Sequence, residues 1–380
     1  MKIAFVADCH LGNHKRFGGD VVSSLNERCR LTLGVFERAV RIAKEEGCGT
    51  FVVAGDLFDY ARPEAPLIAV VQSILSNAQH PVLLVGNHDK ISTGEDDHAL
   101  APLRPTGARI VETPTRLVLG KQRLEFLAVP FQSGHAREWL AGAVRGIVAS
   151  SEPGAPPHPP EGGGARLLAL HLGIKDAKTA PWLAGAADSI DVDVLDAICA
   201  EHHIAYVFAG NWHDRREWRL KKSGAYVLQL GALCPTGWDN PGIDGYGTVA
   251  IFDPSSDEVV KVIEVPGPRF VKVTGKREAQ VEMVSARKRG HQLFVSFDAN
   301  PDDMAELTTL VEAAKERKDI HAGEVIPNKE EASIQAKSAA FAAKSAKTLH
   351  EALEGFVRRM PLPDNVNRGS VLERARGYLR

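Results

Sequence analysis

Apolar, strand-like runs end five times in this chain on a cluster of Asp, Asn and His, and that pattern constrains the fold more than any other feature. Ile3-Ala4-Phe5-Val6-Ala7 leads into Asp8-Cys9-His10, and Phe51-Val52-Val53-Ala54 leads into Gly55-Asp56. Pro81-Val82-Leu83-Leu84-Val85 leads into Gly86-Asn87-His88-Asp89, Leu167-Leu168-Ala169-Leu170 into His171, and Ala205-Tyr206-Val207-Phe208-Ala209 into Gly210-Asn211-Trp212-His213. Polar residues gathered at the ends of buried strands predict a site at one edge of a layered α/β fold. Hard oxygen donors mixed with imidazole suit Mn, Fe, Zn or Mg better than an iron-sulfur or soft copper centre.

Asp8 and His10 are two residues apart, so an extended strand points them the same way and a tight turn at its end aims both at one ion. A second ion needs a shared carboxylate, and Asp56, isolated between apolar residues, is the best candidate for that bridge. Taken singly, an Asp after a strand is most often a cap or turn residue, and a lone His a surface or core residue. Gly86-Asn87-His88-Asp89 alone reads equally as a turn. The ordered set carries the functional reading.

The spacing of apolar residues predicts strands at Ile3 to Ala7, Phe51 to Ala54 and Val82 to Val85, with helices over residues 23 to 46 and 64 to 78 between them. Leu117 to Leu119 and Leu124 to Val129 read as a hairpin, followed by a helix through Trp139, Leu140, Val144 and Ile147. Ser151 to Gly164, rich in Pro and Gly, reads as an exposed loop. Strands ending at His171 and at Ala209 follow, and Val227 to Leu230 and Thr248 to Phe252 are expected with the hairpin in a second layer. The fold class is α/β, a two-sheet β-sandwich flanked by helices. Domain bounds are expected at 1–265 for this body, 266–328 for a small α/β cap with a helix capped by Asp302 over Leu307, Leu310, Val311 and Ala314, and 329–380 for a helical tail.

At 380 residues the chain can bury an α/β core of about 260 residues and carry smaller modules besides. A net charge of -2 gives no whole-molecule attraction to nucleic acid, though it leaves room for a local basic groove. Cys9, Cys29, Cys48, Cys199 and Cys234 are odd in number and lack metal-ligand spacing, which predicts a reduced chain. The opening apolar run is too short for a signal peptide and no run suits a membrane span, so the expected location is cytoplasmic.

The order Asp-x-His, Gly-Asp, Gly-Asn-His-Asp, His, Gly-x-x-His resembles the calcineurin-like metallophosphoesterase superfamily across roughly residues 1 to 265. The resemblance implies a first ion held by Asp8, His10 and His213, a bridge at Asp56, and a second ion held by Asn87 and His171. It places His88 beside the scissile phosphate, with Asp89 orienting it, for two-metal hydrolysis of a phosphate ester. The family pattern has a further His where this chain has Asn211. An amide oxygen is a neutral, weaker donor than imidazole, so Asn211 either makes the second site weaker or merely orders a water.

The Asp8-Cys9-His10-Leu11-Gly12 opening, the cap and the tail are similar to the SbcD-type nuclease subunit of DNA repair and recombination complexes, as is the loop Gly231-Ala232-Leu233-Cys234-Pro235. That resemblance implies manganese-dependent exonuclease or endonuclease activity, and an SbcC-type ATPase bound through the C-terminal helices, where Leu349, Leu353, Phe356 and Met360 form an apolar stripe. DNA would be held through its backbone without sequence specificity, with His14, Lys15, Arg16, Arg215, Arg216 and Arg219 as candidate contacts. A homodimer is left open. So are a general phosphatase or cyclic-nucleotide phosphodiesterase, and a scaffold that binds DNA ends or the ATPase with little turnover.

Overall fold

The computed structural model describes residues 1–91, 97–119, 124–149, 166–179, 186–234, 236–237, 247–256, 259–274, 293–299, 303–327, 357, 367 and 369–372. Two compact units divide the chain: Met1–Val271 with His291–Phe294, and Lys272–Gly290 with Val295–Arg380.

In the first unit, β1 (Lys2–Val6), β4 (Cys48–Val53), β5 (Pro81–Leu84) and β6 (Arg109–Val111) run parallel. With the antiparallel β15 (Gly247–Phe252) and β16 (Val260–Val265) they form a six-stranded sheet of order β16-β15-β1-β4-β5-β6. A second six-stranded sheet has the order β13-β14-β12-β9-β8-β7, from β7 (Thr115–Leu119), β8 (Leu124–Val129), β9 (Arg166–His171), β12 (Ile204–Gly210), β13 (Arg216–Arg219) and β14 (Tyr226–Gln229). Two short pairs lie in the connections, β2 (Val21–Val22) with β3 (Leu25–Asn26) and β10 (Gly173–Lys175) with β11 (Ser189–Asp191).

The central strands are buried on both faces, which is why they read as unbroken apolar runs. Ile3, Phe5, Val52 and Ala54 meet Phe126, Ala128, Leu167 and Phe208 between the sheets, where Phe5 and Phe208 stack with centroids 3.9 Å apart. Ala4, Val6, Phe51 and Val53 face outward onto Val35, Phe36 and Ala39 of α1 (Glu27–Glu45) and Leu67 and Val71 of α2 (Ala65–Leu75). Leu127, Leu168, Leu170 and Val207 likewise pack on α3 (Ala136–Ala149) and α4 (Val192–Glu201). The result is the expected sandwich of two mixed sheets flanked by helices.

Two local expectations change. The Thr248 to Phe252 strand joins the first sheet, with Ile3 opposite Phe252, rather than the second. Both its faces are apolar, Val249 and Ile251 toward the helices and Ala250 and Phe252 between the sheets, so its pattern suits either layer. Helix α1 starts at Glu27 because residues 21 to 26 form the β2-β3 hairpin and the Asn26 side chain accepts the Cys29 N–H at 2.8 Å as a cap.

Further along the chain, β17 (Arg269–Thr274), β18 (Leu293–Ala299) and β19 (Ala322–Pro327) form a three-stranded sheet, and α5 (Met304–Glu316) buries Leu307, Val311 and Ala314. Asp303 precedes α5 and makes no side-chain cap bond. Asp302, the Ser151 to Gly164 loop, Pro235 and the stripe Leu349, Leu353, Phe356 and Met360 lie outside the described residues. All five cysteines are free and buried. Among the described residues no helix is long and apolar enough to cross a membrane.

Candidate metal centre

Asp8, His10, Asp56 and Asn211 adopt φ of 50°, 45°, 51° and 85°. Left-handed backbone costs a residue other than glycine about 1 kcal/mol or more, so these loops are forced into place by their surroundings. The pairing of β1 with β4 continues past both strand ends: the Asp8 N–H donates to the Gly55 carbonyl at 3.1 Å, and the Cys9 and His10 N–H groups donate to the Asp56 carbonyl at 2.9 and 3.1 Å. Gly86 packs so closely that an added Cβ would lie 2.0 Å from Asp56 Oδ1. Only glycine fits there.

These turns bring together three groups, Asp8 with His10 and His213, His10 with Asp56 and His88, and Asp8 with Asp56 and His171, each with one donor atom per residue within 4.8 Å of the others. His10 Nε2 is 3.0 Å from His213 Nε2 and 3.8 Å from Asp56 Oδ2. Asp8, fully buried, has both oxygens on the Asn211 N–H at 3.0 and 3.1 Å, and burial pushes its carboxyl up.

The chemistry around His171 tests whether a cation fits. His171 donates Nδ1–H to the Ala54 carbonyl at 2.7 Å, which leaves a lone pair on Nε2 in the neutral ring. That lone pair lies 3.0 Å from Asn87 Oδ1 and 3.3 Å from Asp56 Oδ2, both acceptors. Three acceptors converging on one point call for a proton or a metal ion between them. Burial opposes charge on His171, yet Asp56 and Asp8 push its imidazole up to about 9. Burial likewise opposes the Asp56 charge, but His171, His10 and His88 hold its carboxyl well below the usual carboxylate range. The donor set fits a divalent cation.

His88 is exposed, its Nδ1 on the Asp59 carbonyl at 2.8 Å and its ring edge-on to His10 at 4.7 Å between centroids. Its backbone N–H donates to Asp56 Oδ1 at 2.9 Å. Asp89, expected beside it in catalysis, is instead fully buried and accepts the Phe58 N–H at 3.0 Å and the Gly86 N–H at 2.9 Å. It holds the two ligand loops together. Burial and the neighbouring Asp56 raise its carboxyl to about 6.

Asn211 sits at the expected corner, but its Nδ2 donates to the Asp188 carbonyl at 3.0 Å and to Asp188 Oδ2 at 3.1 Å. The basic residues beyond the last motif are largely engaged within the fold. Arg216 grips both oxygens of Asp176 at 2.7 and 2.6 Å, Arg215 pairs with Glu217 at 3.1 Å, and Arg219 lies over the Tyr226 ring. On the other side His14 is half-buried against Asp59 at 3.3 Å, while Lys15 and Arg16 are exposed.

Two residues escaped the sequence reading. Asp59 touches His10 Nδ1 at 3.3 Å and His14 Nδ1 at 3.3 Å, and its place three residues after Asp56 was an available signal. Asp188 had none, since it precedes a short strand with no neighbouring motif.

Residues 1–215 match the model of the calcineurin-like phosphoesterase family. The chain belongs to that family. Over 93 residues it is 31% identical to the DNA double-strand break repair protein Mre11 of Methanopyrus kandleri, a match covering 23% of this chain and 19% of that relative's length. Among solved structures, TT1561 of Thermus thermophilus is similar at a TM-score of 0.43 and 12% identity, covering 70% of this chain and 98% of that one. A putative 5′-nucleotidase from Staphylococcus aureus in complex with alpha-ketoglutarate is similar at a TM-score of 0.41 and 14% identity, covering 70% of this chain and 54% of that one.

Proposed function

We propose that this family member is a divalent-metal-dependent DNA nuclease that hydrolyses phosphodiester bonds within a DNA end-processing complex. Convergence of His171 Nε2, Asn87 Oδ1 and Asp56 Oδ2 carries the metal-dependent part of the reading, and the 93-residue likeness to a double-strand break repair protein supports DNA as substrate. Two divalent ions, manganese expected with magnesium, iron or zinc as alternatives, would acidify a water and neutralise the phosphoryl oxygens. Asp8, His10 and His213 would hold one, Asn87 and His171 the other, and Asp56 both. His88, its Nδ1–H fixed on the Asp59 carbonyl, would as an imidazolium donate from Nε2 to a phosphoryl oxygen or protonate the leaving oxygen. An SbcC-type ATPase bound by the tail remains part of the proposal.

The test sets single- and double-stranded DNA beside aryl phosphates and cyclic nucleotides, all with manganese. DNA cleavage above the small esters supports the reading, and turnover of small esters alone makes the chain a general phosphoesterase. His88→Ala should lower turnover about a hundredfold or more while metal occupancy stays as in the parent. Loss of an ion in that variant would reassign His88 as a ligand.

A further inference from the structure

A cavity of about 570 Å³ has a wall that includes His14, Lys15, Arg16, Arg28, Asp59 and Glu64, the last accepting the Tyr60 hydroxyl. Asp59 links this cavity to His10, with Oδ1 3.3 Å from His10 Nδ1 and Oδ2 3.3 Å from His14 Nδ1. His14 Nε2 also reaches the His10 carbonyl at 3.1 Å. A group in the cavity is therefore one side chain away from the candidate metal centre.

Arg28 is the unusual member of this wall. It is 4% exposed, its Nη1 and Nη2 donate to the carbonyls of Arg16 and Thr236 at 2.9 and 2.6 Å, and its Nε has no hydrogen-bond acceptor among the described residues. The carboxylate that acts on it is Asp59, through space, while the neighbouring Arg16 opposes its charge. Its guanidinium carbon sits 5.1 and 5.6 Å from the rings of Phe270 and Phe294, and burial pulls the group down to about 10. It also occupies the first turn of the 19-residue α1, where the helix dipole disfavours a cation. A buried cation bonded to two neutral carbonyls, whose carboxylate Asp59 is already shared with His10 and His14, is costly, and truncating it to an apolar side chain of similar shape would remove that cost. An anion entering the cavity would complete the countercharge that Asp59 supplies in part.

We infer that this cavity binds a second phosphate of the substrate, adjacent along the same strand to the ester positioned at the metal centre. The exposed Lys15 and Arg16 stand at the cavity wall to draw the anion in, and Arg28 meets it in low dielectric, where a charge-assisted hydrogen bond is strongest. Substrates with consecutive phosphates are favoured over lone phosphate esters on this account, which rests on the phosphodiester reading above and deepens it.

The test compares the 4-nitrophenyl ester of thymidine 5′-phosphate with the same ester carrying a 3′-phosphate, each assayed with manganese. In the parent protein the added phosphate should lower KM about tenfold. Arg28→Met should bring the ratio of the two KM values close to one, with Arg28→Lys intermediate. The double variant Lys15→Glu, Arg16→Glu should also collapse the ratio, and being at exposed positions it decides the matter if Arg28→Met does not fold. A parent ratio near one, or a ratio that survives both changes, overturns the inference. If neither ester turns over, the hydrolase reading fails by itself, and calorimetry with thymidine 3′,5′-bisphosphate against thymidine 5′-phosphate then tests the cavity. Equal affinities there, or tighter binding of the bisphosphate unaffected by Arg28→Met, would overturn it.

Discussion

The two halves of the candidate centre share one backbone device and differ in their donors. In the half formed by Asp8, His10 and His213, two imidazoles approach to 3.0 Å beside a buried carboxylate. In the half formed by Asn87 and His171, one imidazole faces one amide, and the corner at Asn211 is turned onto Asp188 by hydrogen bonds of 3.0 and 3.1 Å. Left-handed turns at Asp8, His10, Asp56 and Asn211 place all four corners equally well. Position is thus set by backbone strain, and affinity by which atoms the strained residues carry. The first half should hold an ion more tightly than the second.

Removing the shared carboxylate breaks the comparison most completely. Asp56→Asn takes away the oxygen that lies 3.3 Å from His171 Nε2 and 3.8 Å from His10 Nε2. A neutral amide bridges two cations poorly, so both ions should be lost together and turnover should fall by roughly a thousandfold or more. Calorimetry and single-turnover assays on manganese-loaded protein measure the two losses. An Asp56→Asn protein that still bound both ions would show that the halves do not meet at this residue.

Why the halves looked alike in the sequence has a physical answer. Strand ends are legible because β1, β4, β5, β9 and β12 are buried on both faces and so leave unbroken apolar runs, and the polar residue after each run is conspicuous. Asp8, His10, Asp56, Asn87, His171, Asn211 and His213 were all located that way. What a side chain does after the strand ends is a tertiary matter. Asp89 belongs to a conspicuous motif yet spends both oxygens on the Phe58 and Gly86 N–H groups, and Arg216 beside the last motif is consumed by Asp176. Asp188 and Arg28 acquire their importance from partners distant in the chain, the Asn211 amide and the Thr236 carbonyl, which no local pattern announces. Thr248 to Phe252, expected in the second sheet, lies in the first for a related reason, since a strand apolar on both faces does not name its neighbour.

The second half should also be the more sensitive to pH. His171 is pushed up to about 9, so at pH 7 it carries a proton that a metal ion must displace. Affinity at this half should therefore climb by up to about tenfold per pH unit between pH 7 and 9, with proton uptake by the buffer visible in calorimetric enthalpies. The same shift acts on stability with a fixed sign. Raised above its ordinary 6.5 in the fold, His171 contributes stability that is full below pH 6.5 and lost as pH rises through about 9, and a chelated sample should weaken across that range. Saturating manganese should remove the decline, because the ion takes the proton's place. A pH-independent affinity at this half would mean that His171 is not a ligand.

The smallest expected change is the most direct test of the asymmetry. Asn211→His restores an imidazole at the corner whose amide is now tied to Asp188, and its backbone N–H still donates to both oxygens of Asp8. A neutral imidazole is a stronger donor than an amide oxygen, so the weaker ion should bind about tenfold more tightly and activity at low manganese should rise in step. Asp188 governs how much of that gain is realised, since its carboxylate can accept the proton on the second ring nitrogen and orient the new ligand. Adding Asp188→Asn to Asn211→His should then give back part of the improvement, while Asp188→Asn alone should leave both ions as they are, because the backbone carbonyl at 188 and the new amide oxygen still accept from the Asn211 amide. Manganese titrations of the three proteins separate these outcomes. If Asn211→His left both affinities as they are, the difference between the halves would have to lie in Asn87 and His171, and the substituted corner would be a turn residue only.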